Sequence, residues 1–170
     1  MKAYQILQAI SPSLSKEILT YLNTETREAY RTALYQVAAQ RRLRPQYLQQ
    51  KTRDQQAAWL LEQLKVKTFD GVGEQLLQLW LLKAKTPMLT AFLDAAGVKH
   101  DGKGQVDDLP EDLTPEQASA GIDAMLKDNP GEHVAVYLNL FQTQKEGGWP
   151  AIAAELEKRE ELKFAGTATA

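Results

Sequence analysis

Residues 70–82 read DGVGEQLLQLWLL, and from Leu76 to Leu82 the only polar residue is Gln78. A helix built on this stretch is apolar nearly all round, the mark of a helix enclosed by others. Seven such positions fall far short of the roughly 20 apolar residues that a membrane span needs. The stretch must therefore be covered by the rest of the chain. Leu76, Leu77, Trp80 and Leu81 are expected to be nearly inaccessible, with Asp70 as the helix cap.

On the N-terminal side the neighbouring segments are also helical. Thr52 and Gln55 have capping-box spacing, and Ala57, Leu60, Leu61 and Leu64 form the stripe that follows. Trp59, like Trp80, falls among leucines at helical spacing and is expected in the core. Tyr30, Ala33, Leu34 and Val37 recur at i, i+3, i+4 and i+7 on a helix opened by Asn23 or Thr24. That helix ends at Arg44, because the residue before Pro45 is pushed out of the α region. A helical turn at 45–50, a helix capped by Ser13 with Leu14, Ile18, Tyr21 and Leu22 inward, and a short helix at 2–10 complete this side.

Toward the C-terminus, Thr86-Pro87 opens a helix that Gly97 stops in a left-handed conformation. Thr114-Pro115-Glu116-Gln117 combines an N-cap, a proline at N1 and a glutamine at N3, and Asp128-Asn129-Pro130-Gly131 ends that helix. Val134, Tyr137, Leu138 and Phe141 mark the next stripe. Trp149-Pro150 opens the last helix, with Trp149 plugging the join. Alternating strand patterns are nearly absent, so the fold class is all-α: an irregular multi-helix bundle of about eight or nine helices. A short α-hairpin stack is the alternative, although no repeat of solenoid period is present. Residues 1–164 are expected to form a single helical domain, with 165–170 as a flexible tail.

Hydrophobic residues make up 44% of the 170 and charged residues 25%, the balance of a folded chain and not of a disordered one. There is no cysteine. That excludes disulfides, thiolate metal sites and cysteine nucleophiles, and points to a cytoplasmic, reducing environment. Gln5 and Gln8 interrupt the apolar start, so a signal peptide is not expected. No contact with a membrane is expected either, and the chain reads as soluble.

The chemistry-bearing residues form no recognised constellation. His100, Asp101, Asp107, Asp108, Glu111 and Asp112 crowd the irregular stretch 98–113. Counted from Asp101, however, an EF-hand would need an oxygen ligand where Lys103 stands and glycine where Val106 stands. His133 lies far along the chain and shares no ligand spacing with a carboxylate. Gly71-Val72-Gly73 lacks the preceding strand of a phosphate-binding loop, and no Gly-x-Ser-x-Gly elbow occurs. No metal, no cofactor and no catalytic residue is assigned, and a non-enzymatic role is expected.

Charge is the more informative property. Residues 1–99 carry fourteen Lys/Arg against eight Asp/Glu, or +6, and residues 100–170 carry six against fourteen, or −8. On a helical wheel Arg27, Arg31, Tyr35, Ala38 and Arg42 share one face, and Arg44, Lys51 and Arg53 follow closely, with Tyr47 among them. A helix-turn-helix reading fails because Pro45 and three arginines fill the turn. The leading reading is a helical protein-protein interaction or scaffold domain that binds another protein or itself, with Arg27, Arg31, Tyr35, Arg42, Arg44 and Arg53 as the partner-binding residues. Nucleic-acid binding through the same surface is the alternative, since arginine interleaved with tyrosine suits phosphates and bases, although a pI near 5.8 argues against it. A small-molecule site or carboxylate-based enzyme in an interhelical pocket is the third reading.

Overall fold

The computed structural model describes residues 1–167 as ten α-helices with no strand among the described residues, and the fold is all-α. In chain order they are α1 (Ala3–Ala9), α2 (Pro12–Glu25), α3 (Arg27–Gln40), α4 (Pro45–Gln49) and α5 (Arg53–Leu64), then α6 (Asp70–Ala84), α7 (Thr86–Ala95), α8 (Pro115–Leu126), α9 (Gly131–Gln142) and α10 (Pro150–Lys158). Short 3-10 turns occupy Lys67–Phe69, Glu160–Leu162 and Ala165–Thr167. The rest of the expected tail, 168–170, lies outside the described residues. No helix among the described residues is long and apolar enough to cross a membrane. The helices group into two compact units, Ala3–Trp80 and Leu81 onward with Met1–Lys2.

In the first unit local side-chain caps open α2 and α5. Thr52 Oγ1 accepts from the Gln55 N–H at 3.2 Å and Gln55 Oε1 accepts from the Thr52 N–H at 3.0 Å, so the capping box of α5 is formed. Ser11, not Ser13, caps α2: its Oγ accepts from the Leu14 N–H at 3.2 Å. The reason is Pro12, which takes N1, where its missing N–H leaves nothing unsatisfied. Asn23 and Thr24 do not open α3 but lie inside α2. The Thr26 hydroxyl donates to Leu22 O at 3.0 Å, so α3 starts without a side-chain cap. Asp70 is the first residue of α6, and its carboxylate accepts from the Tyr4 N–H at 3.1 Å. It therefore caps α1, a partner 66 residues away in the chain.

Leu76, Leu77, Trp80 and Leu81 are buried as expected, Trp80 completely. Leu79 and Leu82 are only half-buried, so α6 is not enclosed all round. Trp59 corrects another expectation: it is half-buried at the edge of α5, whereas Leu60 and Leu64 are its core residues. The helix that is enclosed lies in the second unit. Every residue of α9 from His133 to Phe141 is buried.

Around α9 the aromatic side chains interlock. Phe92 of α7 meets Tyr137 and Phe141 edge to face at 5.5 and 5.6 Å, and Phe141 stacks on Trp149 at 4.6 Å. Trp149 is fully buried, donates its indole N–H to Pro110 O at 3.0 Å, and so plugs the start of α10. Helices α7 and α8 can close on each other because residue 121 is glycine: a Cβ there would sit 2.6 Å from Phe92 Cδ2. The Thr114 and Gln117 capping box of α8 is formed like that of α5. At the end of α7, Gly97 has φ +70°, and the Val98 N–H reaches Leu93 O at 2.8 Å while the Gly97 N–H reaches Asp94 O at 3.1 Å. These are the two bonds of a Schellman stop.

Candidate functional site

Helix α3 places Arg27, Arg31 and Tyr35 one turn apart, and they line a single shallow depression with Glu28, Thr32 and Gln36. Both arginines are exposed and Tyr35 is half-buried. Arg42 does not continue this row, as the helical wheel implied. The helix ends at Gln40, and Arg42 lies past it with φ +56°, the one non-glycine residue with positive φ among those described. The Arg42 N–H bonds to Ala39 O at 2.9 Å and the Leu43 N–H to Ala38 O at 2.9 Å, the same stop that Gly97 makes. Ala38, placed on the same face by the wheel, is buried.

Beyond this stop the chain turns through α4. Arg44 takes the N-cap position before Pro45, and the Gln56 amide ties α4 to α5 by donating to Leu48 O at 2.7 Å. Tyr47 is 42% exposed, and the Lys51 ammonium stands 4.6 Å from its ring centre, a cation–π contact. Arg53 is the first residue of α5.

Two features of these arginines bear on the local electrostatics. Among the described residues, none of Arg27, Arg31, Arg42, Arg44 and Arg53 makes an ion pair or a side-chain hydrogen bond, and all five are exposed. In addition, Arg27 and Arg53 stand at helix N-termini, where the partial positive charge of the backbone disfavours a cation. They raise the local potential without stabilising their helices. Residues 27–53 contain seven Lys/Arg against one carboxylate, Glu28, or +6. Arg41 has a structural role instead: its Nε donates to Gln63 Oε1 at 2.7 Å and its guanidinium stands 5.0 Å from the Phe69 ring centre.

The acidic stretch 98–113 belongs to the second unit and has no regular secondary structure, yet it is held at many points. Asp101 Oδ1 accepts from the N–H groups of Lys103, at 2.7 Å, and Gln105, at 3.1 Å, and these bonds hold its carboxyl below the ordinary aspartate value. His100 Nε2 lies 2.8 Å from Asp94 Oδ1, and its Nδ1 accepts from the Gly102 N–H at 3.1 Å, which puts the neutral ring's proton on Nε2. Pro110 O receives the Trp149 indole, Glu111 O receives the Lys145 ammonium, and Leu113 is buried. Asp107, Asp108, Glu111 and Asp112 remain exposed along this pinned segment. Among the described residues no three His, Asp or Glu side chains converge as metal ligands would.

Sequence reasoning missed the half-buried network on Arg159. Its guanidinium bonds to Glu155, to Asp123 Oδ1 at 2.6 Å and to Ser119 Oγ at 2.8 Å, tying α10 to α8. The only signal was Glu155 four residues before Arg159. A crevice of about 370 Å³ between α2 and α5 is lined by Pro12, Ser15, Leu19, Ala57 and Leu61, with Lys16 and Asp54 also in its wall. The Ser15 hydroxyl on this wall donates to Ser11 O at 3.1 Å. Comparison with protein-family models, with curated proteins and with solved structures returned no match.

Proposed function

We propose that this chain is a non-enzymatic helical binding protein that docks an acidic protein partner through Arg27, Arg31, Tyr35, Arg42, Arg44 and Arg53. The observation that carries the reading is the set of five exposed guanidinium groups with no ion-pair partner among the described residues. Arginine and tyrosine are also the residue types that dominate binding energy at protein interfaces. Composition without cysteine supports a reducing, cytoplasmic setting.

Nucleic acid is the second reading, favoured by the exposed Tyr47 ring beside Arg44 and Lys51. It ranks lower on electrostatic grounds. The chain as a whole is acidic, with a net charge of −2 and a pI near 5.8, unlike a typical nucleic-acid binder.

The test is binding of polyglutamate and of mixed-sequence single-stranded oligonucleotides to the wild type and to Arg27→Gln/Arg31→Gln/Arg42→Gln. Exposed charges contribute little to folding, so the melting temperature should stay within a few degrees. Polyglutamate binding should weaken at least about tenfold in the triple variant, most at low salt, where screening is weakest. Equal binding by both proteins would sink the proposal. An oligonucleotide complex that is tighter and lost in the variant would put nucleic acid first. We further propose that residues 1–164 form a single domain, on the support that α6 runs unbroken from Asp70 to Ala84, past the division at Trp80. One calorimetric transition is expected, and two separable ones would assign each unit its own domain.

A further inference from the structure

We infer that the acidic partner is a second copy of the same chain, whose segment 107–112 docks on the basic surface at residues 42–53. This rests on the reading of that surface as a site for acidic protein.

The charge sets match. Arg42, Arg44, Lys51 and Arg53 supply four positive charges with no carboxylate between them in the chain, and Asp107, Asp108, Glu111 and Asp112 supply four negative ones with no cation between them. The cations lie in the unit Ala3–Trp80, whose ten Lys/Arg exceed its seven Asp/Glu by three. The carboxylates lie in the other unit, whose fifteen Asp/Glu exceed its ten Lys/Arg by five. Each copy therefore offers both halves of the contact.

The acidic segment is also presented in advance. Pro110 and Glu111 are each held through their carbonyl oxygens, and the adjoining turn is closed on Asp101. A segment already fixed loses little conformational entropy on docking, which is the largest cost of ordering a loop at an interface. The carboxylates of Asp107, Asp108 and Glu111 make no ion pair among the described residues, like the guanidinium groups they would meet. Arg42 adds a separate indication. It holds a left-handed backbone that glycine adopts without strain, and its side chain gains no ion pair in return.

A contact of one unit on the other unit of the next copy is head to tail, so it closes into a ring or continues as a chain of copies. Sedimentation of the wild type across a concentration series should show association that weakens at least about tenfold between low and high salt. Arg42→Glu/Arg44→Glu/Arg53→Glu and Asp107→Lys/Asp108→Lys/Asp112→Lys should each be monomeric and should retain the wild-type helical spectrum. Mixing the two variants should restore association, because reversed charges on one meet reversed charges on the other. A wild type that stays monomeric at low salt, or folded variants whose mixture stays monomeric, overturns the inference. If the wild type is monomeric yet Arg27→Gln/Arg31→Gln/Arg42→Gln still loses polyglutamate, self-docking fails and the broader binding role stands.

Discussion

Helices α3 and α9 are of similar length, carry apolar residues at helical spacing, and meet opposite fates. In α3 only Tyr30, Ala33, Leu34, Val37 and Ala38 are buried, and the opposite face shows Arg27, Arg31, Thr32 and Gln36 to solvent. In α9 burial extends without a gap from His133 to Phe141, taking in Asn139, whose amide is satisfied by donating to Ala135 O at 2.9 Å. The difference teaches where this protein keeps room for function. An enclosed helix spends every side chain on packing, whereas a helix buried on one stripe can vary its outer face at little cost to folding.

The largest test of that contrast is truncation in α9. Leu138→Ala should cost about 2–5 kcal/mol by urea unfolding, because a fully buried leucine leaves a cavity. Thr32→Ala on the exposed face of α3 should change stability by less than about 0.5 kcal/mol. Similar values for the two would break the comparison.

A smaller effect, of opposite sign, is expected at Tyr30. Its ring is 1% exposed and its hydroxyl has no hydrogen-bond partner among the described residues. Burial also pushes its pKa up to about 12. A buried donor without a partner costs its desolvation, so Tyr30→Phe should stabilise by about 1 kcal/mol. A loss of stability instead would mean that the hydroxyl is satisfied and α3 is packed more like α9.

The smallest shift concerns the end of α3. Arg42→Gly should stabilise by about 0.5–1 kcal/mol, because glycine relieves the left-handed strain that Gly97 avoids at the end of α7. The same change should weaken polyglutamate binding. Gain in melting temperature with undiminished binding would show that Arg42 is not part of the surface.

Several parts of this molecule were legible in the residues alone. The capping boxes at Thr52 and Thr114, the Gly97 stop, the burial of Leu76, Leu77, Trp80 and Leu81 and the plug made by Trp149 all follow from interactions spanning a few residues or from the hydrophobicity of one stripe. Helix periodicity and caps are local properties, so a sequence determines them by itself. Other features depended on groups brought together from far along the chain. Asp70 caps α1 and not its own helix, since Tyr4 N–H arrives beside it only in the folded unit. Composition made α6 the central helix, but enclosure is decided by how many neighbours surround a helix, and α9 has them on every side. The arginines were visible as a charged run, yet whether each was paired or free, and that Arg42 leaves the helix in a left-handed turn, required the positions of their neighbours. Tertiary structure decides such matters because ion pairs and enclosure depend on distances through space, which the order of residues does not specify.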